Sequence, residues 1–217
     1  MKISIWHIFD KLDRRFIYIL VAVTLSIPLL AKLSLPPVYM KAADAAYSVV
    51  QDFSAHRSAK IALVAIDWGP GTNAENEPET EAFVEHLLRT RIPFATISLT
   101  PQSGPYLKNL TAKIIEKLGK ESGATWKYGT DWVNLGYQSG GSTFVQSFAK
   151  AKDLHSLLKT DATGTPIKDI LLLSQVHTIE DIGLLVEVTG ATGLLSAWIQ
   201  FFTKASYRPI FVHACTS

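Results

Sequence analysis

"KIALVAID", Lys60 to Asp67, is a run of apolar residues closed by a lysine at one end and an aspartate at the other. No polar residue alternates within it, so it reads as a strand buried on both faces, as in a parallel sheet covered by helices. A helix is expected next, in "NEPETEAFVEHLLRT": Asn76 or Glu77 is placed to cap it, Pro78 suits the first turn, and Glu79 and Glu81 sit at the positive end of the dipole. Phe83, Leu87 and Leu88 supply its buried face. The alternation then repeats as strand "FATISL", helix "GPYLKNLTAKIIEKLG", strand "WVNLGY", helix "STFVQSFAKA", a strand around "GLLVEVTG", helix "LLSAWIQFFTK" and a last strand "PIFVHA". Strand and helix in alternation predict an α/β fold, a Rossmann-like three-layer domain over residues 36–217 with a mostly parallel sheet of five or six strands. The count stays open because "KDILLLSQVHTIEDIG" leaves Ile170 to Leu173 between strand and helix. Ahead of the first strand, Val38, Ala42, Ala45, Ala46 and Val49 recur at helical spacing and predict a short amphipathic helix packed on the domain.

The remaining 35 residues have a different character. Residues 1–15 form a basic tail, and Phe16 to Ala31 carries no charge between Arg14, Arg15 and Lys32. With Leu33 to Leu35 extending the stretch and Lys32 able to snorkel, residues 16–35 are expected to be one transmembrane helix that precedes the domain and enters the lipid bilayer, kinked at Pro28. A cleaved signal peptide is the rival, but no small-x-small pair precedes Lys32 and the polar start is long, which favours an uncleaved signal anchor in the cell membrane. Lys2, Lys11, Arg14 and Arg15 outnumber Lys32 and Lys41, so the positive-inside bias puts the N-terminus in the cytoplasm and the domain outside.

In 217 residues, hydrophobic side chains make up 47% and charged ones 18%, which excludes a disordered chain. A net charge of +2, with no basic run interleaved with aromatics, gives no support for a nucleic-acid partner. The single cysteine, Cys215, excludes an intrachain disulfide and any multi-cysteine metal site.

Ligands of such sheets bind outside the carboxyl ends of the strands, so the loops after them hold the candidate residues. In "IDWGPGTNAENEPETE", Asp67, Gly71, Thr72, Glu75 and Glu77 form the first group. Carboxylates at a strand tip can hold a cation, with Asp67 and Glu75 as metal ligands, or act as an acid and base pair. The same residues are also explained by turn hydrogen bonds from Asp67, a positive φ at Gly71 and glutamates at a helix start. In "LGYQSGGSTFVQ", Ser139, Gly140, Gly141 and Ser142 form the second group, able to cradle an anion or simply to cap a helix through Ser139 or Ser142. In "VTGATG", Gly190 and Gly193 resemble a dinucleotide loop, but the turn comes late, no acidic residue follows for a ribose, and Ser196 stands where a third glycine or an alanine is expected. His177, His213 and Cys215 are the remaining residues able to converge near strand ends, and His86 reads as a surface or packing residue.

Asp67, Trp68, Pro70, Gly71, Thr72, Glu75 and Pro78, together with Tyr128 to Tyr137, resemble the D-[WY]-x-P-[GS]-[TS]…E-x-[EY]-P and Y-G-x-D-[WY]-V-x-L-G-Y patterns of a family of uncharacterised prokaryotic membrane-anchored α/β proteins. The resemblance covers the chain from about Val38 onward. It implies the fold and the membrane location, and it implies relatives that continue into another membrane helix, so that this chain would be truncated. It implies no reaction. The function expected is therefore a ligand-binding or assembly module of a membrane complex with a membrane-protein partner, leaning away from an enzyme, with no cofactor implied. The alternatives are a metal- or phosphate-dependent enzyme built on the Asp67 loop and, behind it, an NAD(P)-binding oxidoreductase.

Overall fold

The computed structural model describes residues 13–31, 38–56, 58–202 and 207–216. The chain divides into two compact units, Met1–Met40 and Lys41–Ser217. The first contains helix α1 (Arg14–Leu30), whose N-cap Asp13 accepts a hydrogen bond from the Arg15 amide and which carries Pro28 near its end. Its apolar side chains are exposed, among them Phe16, Leu20 and Leu25. No helix among the described residues is long and apolar enough to cross a membrane. Most of the basic tail expected at 1–15, and residues 32–35 of the expected span, lie outside the described residues.

The second unit opens with helix α2 (Lys41–His56) and continues as β1 (Ile61–Asp67), α3 (Asn73–Arg89), β2 (Phe94–Ser98), α4 (Gly104–Ser122), β3 (Trp132–Tyr137), α5 (Ser142–Lys150), α6 (Leu154–Leu158), β4 (Ile182–Thr189), α7 (Leu194–Phe202) and β5 (Ile210–Cys215). The five strands form one sheet in the order β3-β2-β1-β4-β5, and every pairing is parallel. All of β1, β2 and β4 is buried, which is why their sequences run apolar without alternation.

Each face has its own core. Leu63, Ala65, Ile97, Val133 and Leu185 face Phe144, Phe148, Trp198 and Phe202 of α5 and α7. On the other side Val64, Ile66, Phe94 and Val186 meet Phe53 of α2, Leu87 and Leu88 of α3, and Leu107 and Ile114 of α4. A side chain on β4 at Gly183 would collide with α2: its Cβ would stand 2.9 Å from Phe53 Cζ and closer still to Cε2. Glycine there lets α2 lie directly on the strand.

Two local expectations are corrected. Helix α3 starts at Asn73 with Thr72 as N-cap, ahead of Asn76 and Glu77, so Pro78 falls within the helix rather than at its first position. Ile170 to Leu173 is not a sixth strand, because short 3₁₀ turns at Ile167–Asp169 and Leu171–Leu173 fill the long connection from β3 to β4. Ile167, Ile170 and Leu173 point into the α5–α7 core, so their apolar character follows from burial without sheet pairing.

Candidate functional site

Strand β1 connects towards β2 on one side and pairs with β4 on the other, so the order reverses between β1 and β4. The carboxyl ends meeting there are Asp67 and Thr189, which are register partners, as are Ala65 and Glu187 two residues earlier. Side chains alternate along a strand, so Asp67, Glu187 and Thr189 share the face of Ala65 and Leu185, towards α5 and α7.

Asp67 is wholly buried. Its Oδ1 accepts hydrogen bonds from the Ser98 hydroxyl at 3.0 Å and the Leu99 amide at 2.6 Å, tying β1 to the end of β2. Its Oδ2 has no partner among the described residues. Burial pushes its pKa up to about 6, against the opposing hydrogen bonds from Leu99 and Ser98. Glu187 is also fully buried, towards the carboxyl end of β4, with Oε2 3.0 Å from His213 Nδ1 and Oε1 without a partner among the described residues. Burial, and secondarily the charge of Asp67, pushes its pKa up to about 8. Burial lowers that of His213, with Glu79 opposing. Burial thus works against charge on both members of the pair, and one shared hydrogen joins Glu187 Oε2 to His213 Nδ1. The His213 side chain is 21% exposed, so the buried pair has one edge towards solvent.

The loop around Asp67 is knitted to its neighbours. Trp68 is buried, donates from Nε1 to the Thr80 hydroxyl at 2.9 Å and lies against Tyr106. The Ser103 hydroxyl donates to the Trp68 carbonyl. Gly71 does not take a positive φ. Thr72 caps α3 through its backbone only, and its side chain packs against Gly190, where a Cβ would stand 2.8 Å from Thr72 Cβ and Cγ2. The Gly190 amide donates to the Asp67 carbonyl. The space left by this glycine is thus filled by Thr72, whereas a dinucleotide loop would leave it to a pyrophosphate. Gly193 is exposed with φ 90°, at the turn into α7.

The carboxylates expected with Asp67 both lie on α3. Glu75 is exposed in the first turn of α3, and Glu77 stands 3.7 Å from Lys113, which also pairs with Glu81 at 2.9 Å. No hydrogen bond joins Asp67 to either among the described residues. In the third loop, Gly140 and Gly141 take φ of 111° and 51°, and Gly141 is the N-cap of α5 without a side-chain cap. The expected capping by Ser139 or Ser142 is not made, since a glycine in this conformation occupies the cap position itself.

Tyr128 to Tyr137 is structural by its contacts. The Tyr128 hydroxyl donates to Asp161 Oδ2 at 2.7 Å, its ring meets Trp132 edge-on, and its pKa is pushed up to about 12 by burial and by Asp161. His86 stacks on Tyr47 with centroids 4.4 Å apart, as a packing residue. His177 lies before the start of β4, near Asp153, while His213 and Cys215 lie towards the end of β5, so these three do not converge.

Sequence reasoning missed Glu187 and His213 as a pair. The signal was present, because a glutamate inside "LLVEVT" is a charged residue in a strand otherwise buried on both faces. Comparison of the chain with family models, with curated proteins and with solved structures finds no match.

Proposed function

We propose that the protein is a membrane-tethered binding module, acting within a membrane complex, that takes a small amine- or hydroxyl-bearing ligand at the sheet end between β1 and β4. One observation carries this reading: Asp67 Oδ2 and Glu187 Oε1 are buried acceptors without partners among the described residues, on one face of the sheet at its reversal point. Buried polar atoms are nearly always satisfied, and an unpaired acceptor costs about 1–3 kcal/mol, which a donor group on a ligand would recover. The acidic groups disfavour phosphate there, and the His213 side chain, 21% exposed, is the part of the cluster that reaches solvent.

Tethering through residues 16–35 is supported by the exposed apolar side chains of α1, with Phe16 and Leu20 each 66% exposed and Leu30 84%. Such a run is what a bilayer would bury, with the domain outside the cell as the flanking charges suggest. The resemblance to membrane-anchored α/β proteins points the same way.

A second reading, a phosphate-dependent enzyme, is favoured by the α5 start, where Gly141 leaves the amides without a side-chain cap. Its metal arm has less support, because Asp67 is buried whereas Glu75 is exposed and Glu77 lies 3.7 Å from Lys113. The nicotinamide reading loses support at Gly190, where Thr72 fills the turn.

The test is a thermal-shift and calorimetric panel on the full chain in detergent, with diamines, amino alcohols, polyols, inorganic phosphate and NAD. An amine or polyol is expected to raise the melting temperature, and Glu187→Gln and Asp67→Asn are expected to abolish the effect. Stabilisation by phosphate alone, or binding that survives both substitutions, would sink the reading.

A further inference from the structure

At the other end of β4, away from the Asp67 site, Asp153, His155 and His177 bring one ligand atom each to within 4.8 Å of one another. We infer that these three side chains form a site for a single Zn²⁺ ion that pins the long β3–β4 connection to the root of β4. Two imidazoles and one carboxylate make a donor set that suits Zn²⁺ and its transition-metal neighbours, whereas Mg²⁺ and Ca²⁺ take oxygen ligands.

The surroundings hold the ligands in place before any ion arrives. His155 Nε2 lies 2.9 Å from the Leu173 carbonyl, which can only accept, so Nε2 carries a proton and Nδ1 is the nitrogen left to bind an ion. A backbone carbonyl fixing the far nitrogen of a histidine is the usual outer-shell arrangement of a metal ligand. Asp153 is held as the N-cap of α6, accepting from the His155 amide at 3.2 Å and the Ser156 hydroxyl at 3.0 Å. His177 is fixed through its backbone: its amide donates to Asp181 Oδ2 at 2.9 Å, and its carbonyl accepts from the Leu154 amide at 2.7 Å. The two segments are therefore already joined beside the proposed ligands. The His155 and His177 rings lie 4.6 Å apart, and His177 Nδ1 stands 3.3 Å from Asp153 Oδ1.

His177 and Asp153 are each about half exposed, so an ion can enter from solvent and keep water in its remaining position. The segments it would join are far apart in sequence. Asp153 precedes α6, and His177 precedes the capping box of Thr178 and Asp181 that leads directly into β4. An ion there closes a loop that the unfolded chain must otherwise leave open, and so it stabilises the fold by mass action.

The experiment titrates the full chain in detergent with Zn²⁺ alone by calorimetry, in competition with a chromophoric chelator, and repeats it with Mg²⁺. One equivalent of Zn²⁺ is expected to bind, with a rise in melting temperature, while Mg²⁺ has no effect. His177→Ala, a change at an exposed side chain, is expected to weaken binding by more than the roughly 10–100-fold that follows loss of an outer-shell partner. Asp153→Asn and His155→Gln are expected to weaken it as well, with circular dichroism showing each variant folded. Absence of saturable one-to-one binding by the wild type, or affinity unchanged by His177→Ala, would overturn the assignment.

Discussion

Glu187 holds its proton more tightly in the folded chain than in the unfolded one, with its pKa pushed from 4.5 to about 8. A carboxyl shifted in this direction makes stability fall as pH rises from the unfolded value to the folded one. Asp67 acts likewise only up to about 6, and the lowered pKa of His213 acts oppositely and only below its ordinary 6.5. Between pH 6.5 and 8 Glu187 is thus the member of this group that acts, and it should remove about 2 kcal/mol of stability over that range. Urea unfolding of wild type and Glu187→Gln across this range tests it: the wild type should lose stability relative to the variant, and parallel curves would exclude the shift. Gly190 gives a second expectation. Gly190→Ala should cost about 1–3 kcal/mol through its clash with Thr72, and Thr72→Gly should restore most of it, read as urea midpoints. Asp67 was legible as a strand-tip acid because it ends an apolar run. The partnership of Glu187 with His213 was not, since it depends on β4 and β5 lying side by side in register, and the same limit hid the approach of His177 to Asp153.

Five strands and the helices between them were legible at the scale of elements because their sequence signals are consequences of burial. Strands β1, β2 and β4 are apolar without alternation, and α4 and α5 carry helical periodicity on the side that meets the sheet. Where burial and secondary structure part company, the signal misleads, as in the Ile170 to Leu173 segment, which is apolar for core packing alone. The start of α3 carries a Thr72-x-x-Glu75 spacing in the sequence, but Thr72 caps through its backbone only, and Pro78 draws the reading towards a later start. The seating of α2 on β4 is also invisible in either element alone, because it rests on Phe53 meeting the bare backbone at Gly183. Gly183→Ala should therefore lift α2 from the sheet and cost about 1–3 kcal/mol. Hydrogen exchange should show faster exchange in the α2 amides around Val50 and Phe53 with β1 still protected. Exchange as slow as wild type would mean that α2 is held elsewhere.

For the whole molecule, the division into Met1–Met40 and Lys41–Ser217 separates a helix with exposed apolar side chains from a unit that buries its own. The second unit contains both cores, and its large buried side chains, such as Trp68, Trp198 and Phe94, are covered from within the unit. The first exposes Phe16, Ile19, Leu20 and Leu25 along a helix flanked by Arg14 and Arg15. If a bilayer covers that helix, as proposed above, each large apolar side chain it buries should gain about 1.5–3 kcal/mol. Among the described residues the second unit has no comparable exposed run, so on the proposed reading membrane affinity should belong to the first alone. Residues 41–217 expressed by themselves should stay in the supernatant without detergent and unfold in one cooperative transition, since they retain both faces of the sheet. The full chain should float with phosphatidylglycerol-containing vesicles and resist extraction by high salt and alkaline carbonate. Release by salt would reduce the first unit to an electrostatic contact through its basic residues, because surface charge attraction is screened whereas buried apolar area is not. Flotation of residues 41–217 at the same level as the full chain would place the membrane contact on the α/β domain and remove the reason for reading α1 as its tether.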